Sequence, residues 1–421
     1  MLDIKFIREN KELVVLGAKK KHMEVDVERL LTVDDRRREL QLSMDEKRAK
    51  QNAASTKIPS AAPTEKQLLL EEMGLIKETL KQEEEELKTV MEEWRALMVR
   101  VPNIPDMTVP DGDSDEDNQE YKVWGEKTKF NFTPKSHVDL MLEHDMADFD
   151  RGAKVSGFRG YFLKNDGARL AWAVWRYAQD FFMNKDFTPM IVPSLVRREA
   201  FFGTGYLPQG EEDLYKTQDG EYLAGTAEVA TMGYYMDETL PAAELPKRWI
   251  SFSPCFRREA GAHSKDVKGL IRVHEFYKWE QVILCEASHE ESVKWHEWLN
   301  RNTEEFIESL NIPYHTVVNC GGDLGQGQVK KYDIELWVPA EQKYREIAST
   351  SYFHDFQTRR LNIRYKDAEG ITRFTHSLNS TAIPTPRILV SLIENFQRAD
   401  GSIEIPAVLR PYVGKESITK A

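Results

Sequence analysis

Residues 251–285 read SFSPCFRREAGAHSKDVKGLIRVHEFYKWEQVILC. Phe252 to Glu259 reads as a strand, Ala260 to Ile271 as a polar, glycine-bearing loop, and Arg272 to Cys285 as a returning strand. Side chains alternate across a strand. Parity then places Arg257 and Glu259 on one face of the first strand, and Arg272, Phe276, Lys278 and Glu280 on one face of the second. One hairpin face gathers cations, carboxylates and an aromatic ring. Unpaired charge on a half-buried sheet is costly. Cross-strand salt bridges or a polar ligand would satisfy it equally, and the hairpin alone leaves both open.

Similar segments lie on either side. Thr226-Ala227-Glu228 offers a hydroxyl and a carboxylate, and Tyr344-Arg345-Glu346-Ile347-Ala348-Ser349 offers another such pair. Asn379-Ser380-Thr381 precedes Pro384-Thr385-Pro386-Arg387 and an apolar helix from Ile388 to Phe396. An arginine opening a helix beside small hydroxylic residues suits a polyphosphate. Gly321 to Gly327 is glycine-rich but lacks the Lys-Ser/Thr of a phosphate loop and reads as a turn. No G-x-S-x-G or H-E-x-x-H occurs, and the histidines show no metal-ligand spacing. Leu170, Val174, Tyr177 and Phe181 predict a helix ending before Thr188-Pro189. The strand-like segments that follow return as hairpins with few helical crossovers. That predicts an α+β domain, an antiparallel sheet with flanking helices.

The N-terminal part is a different material, charged and nearly free of Gly and Pro from 30 to 51 and from 64 to 101. In the second stretch Leu69, Ile76, Val90 and Leu97, with Met73, Leu80, Leu87, Trp94 and Val101, form a heptad seam that Glu83 alone breaks. Leu30, Val33, Leu40 and Met44 fit a seam in the first stretch; Arg37 and Lys47 do not. With the turn-rich Ala53–Pro63 between them, the two predict an antiparallel helical hairpin. It serves either as a dimerisation or spacer coiled coil, or as an arm holding a polyanion through Arg36, Arg37, Arg38, Lys47, Arg48, Lys50 and Lys57. Val101-Pro102-Asn103-Ile104-Pro105 ends the helix. Six acids and no base between Asp111 and Glu120 read as a linker. The expected domains are an arm over 1–101, a linker over 102–118 and a second domain over 119–421.

Composition excludes several classes. The 421 residues are 41% hydrophobic with a net charge of −12, which is neither a disordered chain nor a general nucleic-acid coat. No apolar run reaches membrane-spanning length. Cys255, Cys285 and Cys320 are too few for a disulfide framework and lack zinc spacing. With no leader-like start, a cytoplasmic setting is expected.

Taken together these segments resemble the seryl-tRNA synthetases, class II aminoacyl-tRNA synthetases, over essentially the whole length. Met1 to Asn10 looks like the family's N-terminal helix. Phe187–Pro193 is similar to motif 1, the dimer element ending in proline. Gly203–Pro208 with Glu211–Asp213 matches the segment after it. Phe256–Gly261 through Arg272–Phe276 is similar to motif 2. Tyr332–Glu335 and Tyr344–Ile347 match a strand pair, and Asp355–Arg360 with Leu378–Arg387 resembles motif 3.

The resemblance implies a serine–tRNA ligase that forms seryl-adenylate from serine and ATP and charges tRNA(Ser), with tRNA(Sec) as a further acceptor. It implies a homodimer, and an arm that grips the tRNA's long variable arm. ATP would meet Arg257, Arg258, Glu259, Arg272, Val273, Phe276, Glu346, Ile347, Ala348, Ser349 and Arg387. Arg257 would bridge the serine carboxylate and the α-phosphate, Glu259 would meet the adenine amino group, and Phe276 would stack on the base. Arg387 would hold the γ-phosphate, and Glu346 with Ser349 would hold Mg²⁺. Thr226, Ala227 and Glu228 would surround the serine ammonium, and Glu280 with Thr381 would read its hydroxyl. Strict alternation puts Glu346 and Ser349 on opposite faces, so that pair requires a bulge or a strand end. Gly225, Ala230, Glu275, Tyr352 and His354 depart from residues common in the family.

Overall fold

The computed structural model describes residues 1–261, 266 and 268–420. The chain forms two compact units, Met1–Ile104 and Pro105–Ala421.

In the first unit two long helices fold back on each other, α1 (Val27–Lys57) and α2 (Pro63–Arg100). Asp26 caps α1 by accepting the Arg29 backbone N–H, and Pro63 opens α2 where its missing N–H costs nothing. Helix α1 runs through the alanines of the expected tip, because they favour helix more than the turn, and ends only before the 3-10 turn Ile58–Ser60. The seam buries Leu30, Val33, Leu40 and Met44 together with Leu80 and Met98.

Two of the residues that break the heptads, Glu83 and Lys47, face each other across the hairpin. Glu83 accepts hydrogen bonds from Ser43 (2.9 Å) and Lys47 (2.8 Å). Arg37 binds Asp34 at 2.8 Å and lies over the Trp94 ring, 5.3 Å from its centre. Asp34 is also bonded to Arg8 (2.7 Å) and Trp94 Nε1 (3.1 Å). Burial opposes its ionisation, but the hydrogen bonds from Arg8 and Arg37 outweigh burial and hold the carboxyl below its usual range.

The second unit is built on an eight-stranded sheet. In chain order its strands are β1 (Gln119–Trp124), β2 (Thr188–Ile191), β3 (Lys247–Phe256), β4 (Glu275–Cys285), β5 (Tyr314–Val318), β6 (Lys330–Val338), β7 (Lys343–Tyr352) and β8 (His376–Thr385). The spatial order is β1-β5-β6-β7-β8-β4-β3-β2, antiparallel throughout except that β2 runs parallel to β3 at the edge. Helices α3 (Asn165–Met183), α5 (His289–Ser309) and α6 (Arg387–Asn395) join a common core, and a short helix α4 spans Ala227–Gly233. Leu170, Val174, Phe306, Ile307 and Leu389 pack there with Ile283, Ile334 and Leu378 of the sheet. Gln281 points toward α5, donating to Thr303 Oγ1 at 2.9 Å. Alternation therefore turns Lys278 and Glu280 away from that core.

Two bulges interrupt the ladders. Between β6 and β7, Ile334 pairs with Ala348 but Glu335 pairs with Glu346, so Ile347 is skipped. Between β4 and β8, Trp279 pairs with Ile383 but Glu280 pairs with Thr381, so Ala382 is skipped. Each re-aims the side chains beyond it.

The acidic segment before β1 packs within the second unit. Gly321 N–H donates to Pro110 O (3.0 Å), and Asn118 Nδ2 to Asp323 (2.9 Å). Among the described residues no helix is long and apolar enough to cross a membrane.

Candidate active site

The hairpin that opened the sequence reading is shorter than its alternation suggests. β3 ends at Phe256 and β4 begins at Glu275, so Arg257, Glu259 and Arg272 lie beyond regular pairing. Glu259 has φ +54°, a left-handed conformation that ends alternation there. The three are nonetheless gathered. Arg257 N–H donates to His274 O (2.9 Å), and Arg272 binds Glu259 at 2.5 Å. Residues 262–265 and 267 of the expected loop lie outside the described residues.

Beside this hairpin a cavity is lined by Arg257, Glu259, Ile271, Val273, Phe276, Lys278, Glu346, Ile347, Thr381 and Arg387. Arg257 Nε donates to Gly225 O (3.2 Å), and its guanidinium lies over the Phe276 ring, 5.2 Å from the centre. A Cβ at Gly225 would press on the Arg257 side chain at 3.3 Å, so a glycine there gives the arginine room. Arg387, the first residue of α6, donates from Nε to Ile271 O (2.9 Å) and from Nη1 to Glu346 O (2.9 Å). Burial lowers its pKa from the usual guanidinium value, with Glu346 opposing.

A second cavity shares the wall formed by Arg257, Lys278, Glu346 and Thr381. Its other linings include Tyr206, Thr226, Glu228, Glu280 and Ser349. Thr226 caps α4, which puts Glu228 in the first turn. Lys278 Nζ donates to Thr226 Oγ1 (2.8 Å) and Thr381 Oγ1 (3.4 Å), and pairs with Glu280. Thr226 and Thr381 donate to the same Glu280 oxygen at 3.3 and 3.5 Å. Lys278 and Glu280 are 5% and 3% exposed, so removing either partner strands a buried charge. The bulges matter here. One sets Thr381 opposite Glu280; the other brings Glu346 and Ser349 to one cavity despite their spacing.

The geometry is that of a site for a polyanion next to a site for a small zwitterion. Family models match at both ends of the chain, the seryl-tRNA synthetase N-terminal domain over residues 1–105 and the class II tRNA synthetase core domain (G, H, P, S and T) over 215–396. The serine–tRNA ligase of Deinococcus radiodurans is 44% identical over 419 residues, 99% of each chain. That of Clostridium tetani is 40% identical over 430 residues, covering both chains in full. The chain belongs to the seryl-tRNA synthetase family. Among solved structures, seryl-tRNA synthetase from Pyrococcus horikoshii complexed with ATP superposes with a TM-score of 0.93, at 37% identity and full coverage of both chains. The cytoplasmic serine–tRNA ligase of Naegleria fowleri in complex with AMP gives 0.89 at 30% identity, covering 100% of this chain and 99% of that one.

Not every family position points into the cavities of this synthetase. Arg258 faces the other way, donating to Glu212 O at 3.0 Å. Arg272 is turned onto Glu259. Ala227 and Ala348 are buried in the fold, with Ala348 in the main core, and neither lines a cavity. Sequence reasoning placed Lys278 on the right face but gave it no role, although its i, i+2 spacing from Glu280 was the available signal. Tyr206 and Gln357 were missed. They contact Glu228 at 2.9 and 2.7 Å from 22 and 129 residues away, which no local pattern reveals.

On the arm, Arg36 pairs with Glu86 (2.7 Å), Lys47 with Glu83 (2.8 Å) and Arg48 with Glu84 (3.1 Å), all across the hairpin. Arg37 is held by Asp34, and Lys50 is exposed. Four of these five bases therefore brace the arm, while Lys50, like Arg38 and Lys57, is exposed.

Proposed function

We propose that the chain forms seryl-adenylate where the two cavities meet and then passes serine to the 3′ end of tRNA(Ser). The observation that carries this is the shared wall, where Arg257 faces both cavities at once. Arg257 bridges the serine carboxylate and the α-phosphate. Phe276 and Glu259 receive the adenine, and Arg387, fixed by two backbone carbonyls, takes the γ-phosphate. Thr226 and Glu228 take the serine ammonium, and Glu280 with Thr381 takes the hydroxyl.

A serine carboxylate is already ionised at neutral pH, so attack on phosphorus needs no general base. It needs alignment and charge neutralisation, which fixed arginines supply. Alanine leaves the Glu280 oxygen without its substrate partner, at a cost of about 1–3 kcal/mol.

Mg²⁺ fits the same wall. Glu346 and Ser349 are hard oxygen donors brought together by the Ile347 bulge, and the nearby Asp333 Oδ1 is buried with no hydrogen-bond partner. An ion held there would take its remaining ligands from waters and phosphate oxygens. When bound, Mg²⁺ would neutralise charge between phosphates.

ATP–pyrophosphate exchange across the twenty amino acids tests this reading. Serine should support it best, with alanine about 10–100-fold weaker, and chelating Mg²⁺ should stop it. Exchange with another amino acid in place of serine defeats the assignment.

The second unit exposes what a homodimer would cover. Phe158, Phe162 and Trp172 are about half exposed along one groove, and Ile191 on edge strand β2 is 86% exposed. Sedimentation should return twice the 48.8 kDa of one chain; a stable monomer sinks the proposal.

A further inference from the structure

Glu228 is 4% exposed, and each of its carboxylate oxygens accepts a side-chain hydrogen bond. Oε2 accepts from the Tyr206 hydroxyl at 2.9 Å, and Oε1 accepts from Gln357 Nε2 at 2.7 Å. Gln357 is itself pinned. Its Nε2 also donates to Thr204 O (3.2 Å), and its Oε1 accepts from Ser377 Oγ (2.8 Å). Tyr206 sits outside this clamp; its hydroxyl is turned inward to Glu228, and its ring packs edge-on against Phe201, 6.5 Å between centres.

The charged and titratable groups around Glu228 are Glu280, Lys278 and Tyr206, with Arg257 and Glu346 on the same cavity. Burial pushes the Glu228 carboxyl up, and the Glu280 charge adds to that; Gln357, Tyr206 and Lys278 oppose it. The Tyr206 hydroxyl is itself raised well above its ordinary value, by burial and then by the Glu228 charge. It therefore stays protonated and remains a donor at any working pH. A neutral Glu228 could not balance an ammonium group, so whatever holds it ionised also holds the site competent.

We propose that Tyr206, with Gln357 behind it, is a positioning residue for serine capture: the two donors keep Glu228 ionised and aimed at the amino group, and so set the acid limit of serine binding. This rests on the reading of the second cavity as the serine site. The direction follows from the geometry. As pH falls, Glu228 takes a proton and serine affinity is lost; removing one donor makes protonation easier and moves that loss to higher pH. Gln357 is tied into three contacts, so Tyr206 is the donor that can be removed cleanly, and phenylalanine keeps the ring against Phe201.

The test is calorimetric serine binding, with serine-dependent exchange followed from acidic to neutral pH, on the full-length wild type, Tyr206→Phe, Glu228→Gln and the double variant. Tyr206→Phe should weaken serine binding about tenfold, as expected for a hydrogen bond to a charged group, raise KM for serine more than it lowers kcat, and leave ATP affinity within about twofold. The acid limb of kcat/KM for serine should move to higher pH. Glu228→Gln should lose that limb, and adding Tyr206→Phe to it should cost nothing more. An unmoved limb with unchanged serine affinity overturns the proposal, as does a Tyr206→Phe loss that adds in full to Glu228→Gln. A wild-type protein that binds no serine overturns the assignment of the cavity, and this inference with it.

Discussion

Arg257→Ala should lower kcat/KM for serine-dependent ATP–pyrophosphate exchange about 10³-fold, roughly 4 kcal/mol of transition-state stabilisation. The size follows from position. Arg257 lies on the wall common to both cavities, and its guanidinium is held to Gly225 O and the Phe276 ring rather than to a carboxylate. Its charge is therefore available to an incoming anion. In the proposed reaction charge develops on the α-phosphate as the serine carboxylate approaches, and one cation touching both groups would lower the barrier and fix the approach. Arg257→Lys should recover only part of the rate, because an ammonium cannot offer two parallel donors. Removing the side chain leaves no buried carboxylate unpaired, so the melting temperature should hardly move. An alanine variant within tenfold of wild type would remove Arg257 from the chemistry.

The second large effect separates the two halves of the reaction. Residues 45–79 form the outer part of the hairpin, beyond the buried Met44 and Leu80. Replacing them with a short turn should leave serine-dependent exchange within about twofold, since both cavities lie wholly within Pro105–Ala421. Charging of tRNA(Ser) should fall about a hundredfold or more, the loss expected when several phosphate contacts vanish together. The inner core of that unit, Ile7, Val14, Val27, Leu30, Met98 and Val101, stays intact, so the truncated chain keeps its folded base. Undiminished charging would assign the arm a purely structural role. The single replacement Lys50→Ala should have a small effect beside this, because one exposed lysine carries only one such contact.

Periodicity made much of this architecture readable in advance. The heptads announced α1 and α2, and of the positions that broke them Arg37 turns to Asp34 and Trp94, while Glu83 and Lys47 are partners rather than errors. That partnership is invisible along one helix, because it depends on which residue of the other helix lies opposite. The α+β sheet and the helix at Leu170–Phe181 followed from alternation and helical spacing. Alternation failed at the site itself. Arg257, Glu259 and Arg272 sit past the ends of β3 and β4, where a left-handed residue and unpaired backbone replace the strict two-residue repeat. For Glu346 and Ser349, counting identified the need for a bulge. Locating it at Ile347 took the neighbouring strand. Tyr206 and Gln357 approach Glu228 from distant parts of the chain, so only the folded unit brings them together.

The two bulges also limit how this hairpin lineage can change over generations. Substitutions along β7 and β8 alter one side chain at a time. A one-residue gain or loss beside Ile347 or Ala382 does something else, exchanging the cavity face for the core face over the rest of the strand. Glu346 would then be driven toward Ile334, and Thr381 away from Glu280, in a single event. Length variation is tolerable in the turn from Pro339 to Gln342, outside both ladders, and intolerable a few residues further on. Descendants of this chain should differ freely in the letters of these strands, while the count of residues between Asp333 and Ser349 changes only at that turn.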